Sequence, residues 1–135
     1  MTEAVLDASV VLKWFRTEGE RRREEAIALR RSFEAGELTV FAPPLLWLEI
    51  VNVAARRWRW SARQLDDLAA QLPALGFAMV EPALTGVSRW AAAGLSAYDA
   101  TYVAAAEETG VALVTDDAGI LEVAVDLASP LAAVT

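Results

Sequence analysis

Apolar residues in this chain come in short unbroken runs separated by longer mixed stretches. Ala4, Val5 and Leu6 form the first run, with no polar position between them. Such a run reads as a strand buried on both faces, the habit of a central parallel strand. Leu38–Ala42, Phe77–Val80 and Val111–Val114 are the next three candidates. The stretches between them carry helix punctuation. Ala8 to Phe15 reads as helical. Glu20 to Glu34 reads as a surface helix ending near Gly36, with mixed charges spaced for pairs such as Arg21/Glu25 and Arg30/Glu34. Pro43-Pro44 opens a helix from Leu45 to about Trp58. Ser61 caps the next, from Ala62 to about Leu72. Pro82 starts a helix that ends near Gly94, and Ser96 opens another over 97–108, stopped by Gly110. A short helix over about Ala118–Val123 follows, and the tail after Asp126 is expected to add a weak edge strand.

Strands alternating with helices imply a parallel sheet with helices on both faces. Four strands are well marked and a fifth is weak. No repeat, linker or low-complexity segment divides the 135 residues, so one domain over 1–135 is expected.

Composition then narrows the chemistry. The chain has neither histidine nor cysteine. A Ser-His-Asp triad, a Cys-His pair and a histidine base are therefore impossible. A structural zinc site lacks its usual ligands. Carboxylate chemistry remains, with a hard cation such as Mg²⁺ or Mn²⁺. The absence of cysteine, of a signal peptide and of a membrane-length apolar run leads to the expectation of a cytoplasmic protein that engages no membrane. The net charge of −7 argues against sequence-independent nucleic-acid binding, although a bound cation would offset part of it.

The acids have simple explanations when taken singly. Asp7 follows the first strand and would cap the helix after it. Asp99 lies three residues after Ser96 and would complete a capping box. Asp116 or Asp117 would cap the short helix after the fourth strand. Glu49 is different, because it lies in the middle of an apolar helix, where capping explains nothing. A buried carboxylate there needs a partner. That partner is either a cation or an arginine such as Arg56, and Asn52 on the same face could orient it. Asp7 and the Thr115–Asp117 segment both follow carboxyl ends of strands, which share one edge of a parallel sheet. Asp99 and Glu49 would join them there if their helices pack across that edge. Carboxylates about 4 Å apart repel by roughly 4 kcal/mol at an effective dielectric near 20, so such a cluster would take up metal or protons.

In this order, strand-Asp7-Ala8-Ser9-Val10, helical Glu49 with Asn52, Tyr98-Asp99-Ala100 and strand-Thr115-x-Asp117 resemble the PIN-domain family, most closely the toxins of VapBC toxin–antitoxin pairs. The resemblance implies a three-layer α/β/α sandwich around a four- to five-stranded parallel sheet. It implies a homodimeric, metal-dependent endoribonuclease using Mg²⁺ or Mn²⁺, with RNA as substrate and a cognate antitoxin as partner. Asp7, Glu49, Asp99 and Asp117 would be the acidic quartet that binds metal and carries catalysis. Ser9, Asn52 and Thr115 would support them. Asp116 departs from the pattern by placing a second acid in the variable position of T-x-D, where it could share or replace the ligand role of Asp117.

Arg56, Arg57, Arg59 and Arg63, interleaved with Trp58 and Trp60, form the densest basic and aromatic stretch and are the candidate RNA contacts. Arg56, Arg59 and Arg63 have near-helical spacing. A helix end with packed tryptophans explains the same stretch. Trp14, Phe15 and Trp47 would line an apolar groove for an antitoxin segment, or simply pack in the core. Two other nuclease-like or binding roles stay open: a housekeeping RNA-processing nuclease, and a non-catalytic module with a structural metal. A phosphoacceptor receiver domain is disfavoured because Lys13, the only lysine, lies in the first helix rather than after a late strand.

Overall fold

The first apolar run does become the centre of a sheet. In the computed structural model, which describes residues 2–16, 18–19 and 21–133, β1 (Glu3–Leu6) lies between β2 (Thr39–Ala42) and β4 (Leu113–Thr115). β3 (Ala78–Met79) and β5 (Ala128–Pro130) flank them, giving the order β3-β2-β1-β4-β5. All four pairings are parallel. Ala4, Val5 and Leu6 are fully buried, as are Leu113 and Val114 in β4. The weak tail strand is real, and its Pro130 is tolerated because β5 is an edge.

Among the described residues seven helices cover the sheet: α1 (Ala8–Phe15), α2 (Arg23–Glu34), α3 (Leu45–Arg56), α4 (Ala62–Ala74), α5 (Leu84–Ala92), α6 (Ala97–Thr109) and α7 (Ala118–Val123). A short 3₁₀ turn follows at Leu131–Ala133. α1 packs against α2 and α3, and α3 against α4. α5 packs on α6, which lies across β1, β2 and β4. Right-handed crossovers put these two groups on opposite faces, so the architecture is the expected α/β/α sandwich. α6 is buried almost all round, and its run Ala104–Ala106 lets neighbouring backbone come close. Gly86 of α5 meets it there, with an added Cβ coming within 3.5 Å of the Ala104 Cβ.

Several boundaries move. α3 ends at Arg56, two residues before Trp58, because Arg59 turns the chain with a φ of +56°. α4 runs through Pro73 to Ala74. A proline in the last turn forfeits one hydrogen bond without a following turn to disrupt. α5 begins at Leu84 rather than Pro82, and β4 takes in Thr115 while leaving out Val111 and Ala112. α2 begins at Arg23, and Glu20, the first residue of the expected helix, lies outside the described residues. The Arg30/Glu34 pair forms at 2.9 Å, whereas Glu25 pairs with Arg22 at 3.8 Å instead of Arg21.

The strand order matters for function. A receiver-type sheet runs 2-1-3-4-5, so the observed order excludes that reading. The chain moves outward from β1 to β3, then returns through α5 and α6 to β4 on the other side of β1. The order reverses between β1 and β4, and ligands of open α/β sheets bind beyond the carboxyl ends at such a point.

Candidate active site

Asp7 and Thr115 occupy that switch point. Leu6 is in register with Val114, so the next residues on each strand are neighbours. Thr115, fully buried, donates its hydroxyl to Asp7 Oδ2. The same hydroxyl accepts the Asp117 backbone N–H at 3.0 Å. Ser9 mirrors it from α1: its Oγ donates to Asp7 Oδ1 at 2.6 Å and accepts the Asp116 N–H at 2.9 Å. Two hydroxyls therefore bridge the carboxylate after β1 to the backbone after β4. Asp7 sits at the N-cap of α1, yet its side chain makes no cap bond. Capping accounts for its position in the chain but not for its side chain.

The other three acids arrive from separate elements. Glu49, Asp99 and Asp117 line one pocket with Asp7, and Ser9, Asn52, Arg57 and Tyr102 complete its polar wall. The pocket is about 310 Å³. Glu49 and Asn52 lie about one turn apart on α3, and Arg57 follows at its C-cap. Glu49 accepts the Tyr102 hydroxyl of α6. Neither Arg56 nor Asn52 supplies its partner among the described residues. At the start of α6, Ser96 Oγ accepts the Asp99 N–H at 3.0 Å, while the Asp99 carboxylate faces the pocket. Asp117 caps α7, accepting the Ile120 N–H at 2.9 Å. A Cβ on Gly119 would come within 3.2 Å of Asp117 Oδ1, so glycine leaves this carboxylate its room.

Burial and mutual repulsion raise the proton affinity of Asp7, Glu49 and Asp99. Burial pushes Asp7 up to about 6 against the pull of the Ser9 and Thr115 hydroxyls, and the Asp117 charge adds to the rise. Glu49 is raised by burial and by the charge of Asp99, with the Tyr102 hydrogen bond opposing. Asp99 is raised by burial and by the charge of Asp117. Among the described residues no ion pair involves any of these four acids. The arrangement is an acidic pocket whose four carboxylates form no ion pair among the described residues, with Arg57 in its wall.

Asp116 belongs elsewhere. Its carboxylate points to Lys13 Nζ at 3.4 Å, on the far side of the Ser9 bridge, and does not line the pocket. Arg56, Arg59 and Arg63 are absent from the lining as well. The left-handed turn at Arg59 separates α3 from α4, so these arginines share no helical face. Trp58 and Trp60 pack on each other at 5.2 Å, and the Arg16 guanidinium lies 5.6 Å over Trp58. Trp14, Phe33, Phe77 and Trp47 form a ring cluster, with centroids 5.0–5.8 Å apart. Phe15 instead lines a separate hollow with Trp60 and Leu68. Trp14 and Trp47 thus pack in the ring cluster, and Phe15 lies apart from it.

Tyr102 was not singled out from the sequence, though it follows Asp99 by three residues and so shares its helix face. Lys13 was noted only as a lone lysine, yet it is buried on α1 and meets an acid.

Thr115→Val keeps the shape of the side chain and deletes both bridging bonds. Because the site is fully buried, the Asp117 N–H would lose its acceptor without gaining water. Stability should fall by about 2 kcal/mol, measurable as a lowered urea midpoint. An unchanged midpoint would show that the bridge contributes nothing.

The donor set suits a hard divalent cation, being all oxygen and net negative. Among the described residues no three acids already stand as a closed cation cage. Mg²⁺ does not require one, since it is usually held by one or two carboxylates with several retained waters.

Comparison with known proteins bears on the fold and the family. A family model described as the PIN domain matches residues 4–126. PAE2754 from Pyrobaculum aerophilum is similar in structure, with a TM-score of 0.69 and 24% identity over 98% of this chain and 91% of its own. FitAcB from Neisseria gonorrhoeae superposes with a TM-score of 0.67 at 17% identity, over 93% of this chain and 95% of its own. The Mycobacterium tuberculosis toxin VapC20 gives 0.61 at 16% identity, over 84% and 87%. No curated protein matches the chain by sequence. At these identities the solved structures establish the fold, and the family model, which runs from Ala4 of β1 to Asp126, just short of β5, establishes the family: the chain belongs to the PIN domain family.

Proposed function

We propose that the chain is a Mg²⁺- or Mn²⁺-dependent endoribonuclease and the toxin of a type II toxin–antitoxin pair. One observation carries this reading: four carboxylates from four elements meet at the sheet's switch point, without an ion pair among the described residues, in a chain without histidine. Asp7, Asp99 and Asp117 would hold the cation, with Glu49 beside them. Bound there, a divalent ion supplies an activated water and stabilises charge on the phosphate and leaving oxygen. The residues of the chain do the rest. Ser9 and Thr115 lock the Asp7 carboxylate, so no rotamer freedom is lost on reaction. Glu49 Oε1, held by Tyr102, orients the attacking water and takes its proton. Arg57, the basic residue in the pocket wall, contacts a flanking phosphate. Arg56, Arg59 and Arg63 lie outside the pocket and would contribute only to the approach of RNA.

The partners follow with the same reading. VapC20 is described as a Sarcin-Ricin loop cleaving toxin, and FitAB was solved bound to a DNA fragment. These support a cognate antitoxin and an RNA substrate here. An apolar hollow of about 340 Å³ between the starts of α3, α5 and α6 supports homodimerisation, since Leu84 and Tyr98 beside it are 80% and 64% exposed. No helix among the described residues is long and apolar enough to cross a membrane, and we place the protein in the cytoplasm.

The test is cleavage of structured RNA by the purified chain with Mn²⁺ or Mg²⁺, beside the same mixture with EDTA. Cleavage is expected only with the metal. Metal-dependent stabilisation without any cleavage would favour the binding module with a structural cation.

A further inference from the structure

Three of the four pocket acids are held by neutral donors, whereas Asp116, outside the pocket, is paired with a lysine. Asp7 accepts from two hydroxyls, Asp117 from a backbone N–H and Glu49 from a phenol. The difference has a physical consequence. An arginine or lysine in place of any of these donors would fix the carboxylate equally well but cancel its charge. A neutral donor fixes direction and leaves the charge available.

From this we propose that Tyr102 is a positioning residue of the site, whose buried hydroxyl sets the Glu49 carboxylate for a divalent cation bound among the aspartates. The inference rests on the metal-dependent reading above. Tyr102 is only 1% exposed, and a buried phenol needs a partner. Its partner is Glu49, 53 residues away on the opposite helix layer. Its hydroxyl is the donor in that bond, and the Glu49 carboxylate the acceptor. It reaches the pocket on the same face of α6 that presents Asp99. One helix thereby delivers an acid and the donor that orients a second acid from α3. Glu49 is the only one of the four that is mid-helix and mounted on a long flexible side chain, so it has the most rotamer freedom to restrain.

The test is calorimetric titration of the full chain with Mn²⁺, in the native protein, Tyr102→Phe, Glu49→Gln and the double variant. Tyr102→Phe keeps the ring and its core contacts. It should retain its circular dichroism while its Kd for Mn²⁺ rises about tenfold, the usual scale for a residue that orients a ligand. In the Glu49→Gln background the same change should add little, because the carboxylate being oriented is gone. Equal Mn²⁺ affinity in Tyr102→Phe and the native chain would overturn the proposal. So would a full tenfold loss in both backgrounds, which would mark Tyr102 as a packing residue. If Tyr102→Phe fails to fold, Tyr102→Met and Glu49→Gln give the same cycle, because methionine adapts to a core site and supplies no donor. A native chain that takes up no Mn²⁺ would overturn the metal reading itself, and this inference with it.

Discussion

Asp7→Asn should cut metal-dependent RNA cleavage by about a thousandfold and still make the metal-free protein more stable. The first effect follows from the loss of the central anion at the switch point. A thousandfold corresponds to about 4 kcal/mol of transition-state stabilisation, within what a bound divalent ion supplies. The second effect follows from burial. A carboxyl held at about 6 against an ordinary 3.8 makes ionisation of the folded state cost roughly 3 kcal/mol. The sign is that of a raised acid: its contribution is fully present below the ordinary value and is lost as pH rises through about 6. The metal-free native chain should therefore weaken between about pH 4 and 6 through this group, and Asp7→Asn should lack that step. Asparagine offers one acceptor oxygen for the two hydroxyls of Ser9 and Thr115, so only part of the cost is recovered. A gain of about 1–2 kcal/mol at pH 7, or roughly 4–8 °C in Tm, is expected. Thermal melts in EDTA at pH 4 and pH 7, with cleavage assays in Mn²⁺, check both halves. A variant that is both inactive and less stable at pH 7 would contradict the account of Asp7 as a strained, functional charge.

The second large contrast separates the adjacent acids after β4. Asp117→Asn should lose about a hundredfold or more in cleavage with little change in stability. Asparagine is as good an N-cap as aspartate, so the bond to the Ile120 N–H survives while the charge facing the pocket is removed. Asp116→Asn should do the reverse. It breaks the pair with Lys13, a buried ammonium, and should cost on the order of 1–3 kcal/mol, between the values for exposed and buried pairs. Its cleavage at a temperature well below the melt should stay within severalfold of native. Urea titrations and rates for the two variants decide. Comparable activity losses would mean that Asp116 shares the ligand role after all.

Much of this was legible in the chain because it is locally encoded. The unbroken run Ala4–Leu6 marks a strand buried on both faces, and Gly110 stops α6 in a left-handed cap. Alternation of strands and helices gives a parallel sheet, which brings strand ends to one edge. Glu49 was conspicuous because an ionisable residue in an apolar helix lacks a local explanation. Boundaries were less legible. α4 passes through Pro73, and α3 stops short of Trp58, because tertiary packing and one left-handed residue decide where a helix stops. The basic stretch 56–63 looked helical by spacing, and the turn at Arg59 breaks that periodicity.

The residue types and their order thus determined the fold class, the absence of histidine chemistry and the candidate acids. Only the tertiary structure decided which neighbours those acids have. Glu49 was expected to take a cation or an arginine such as Arg56, with Asn52 to orient it, and the residue that holds it is Tyr102, 53 residues on. Asp116 and Asp117 are adjacent in sequence, yet one turns to Lys13 and the other to the pocket. The reason is geometric. Helix and strand periods fix which face a side chain takes on its own element, but the partner it meets depends on strand order and helix placement, and hence on burial summed over the whole sheet.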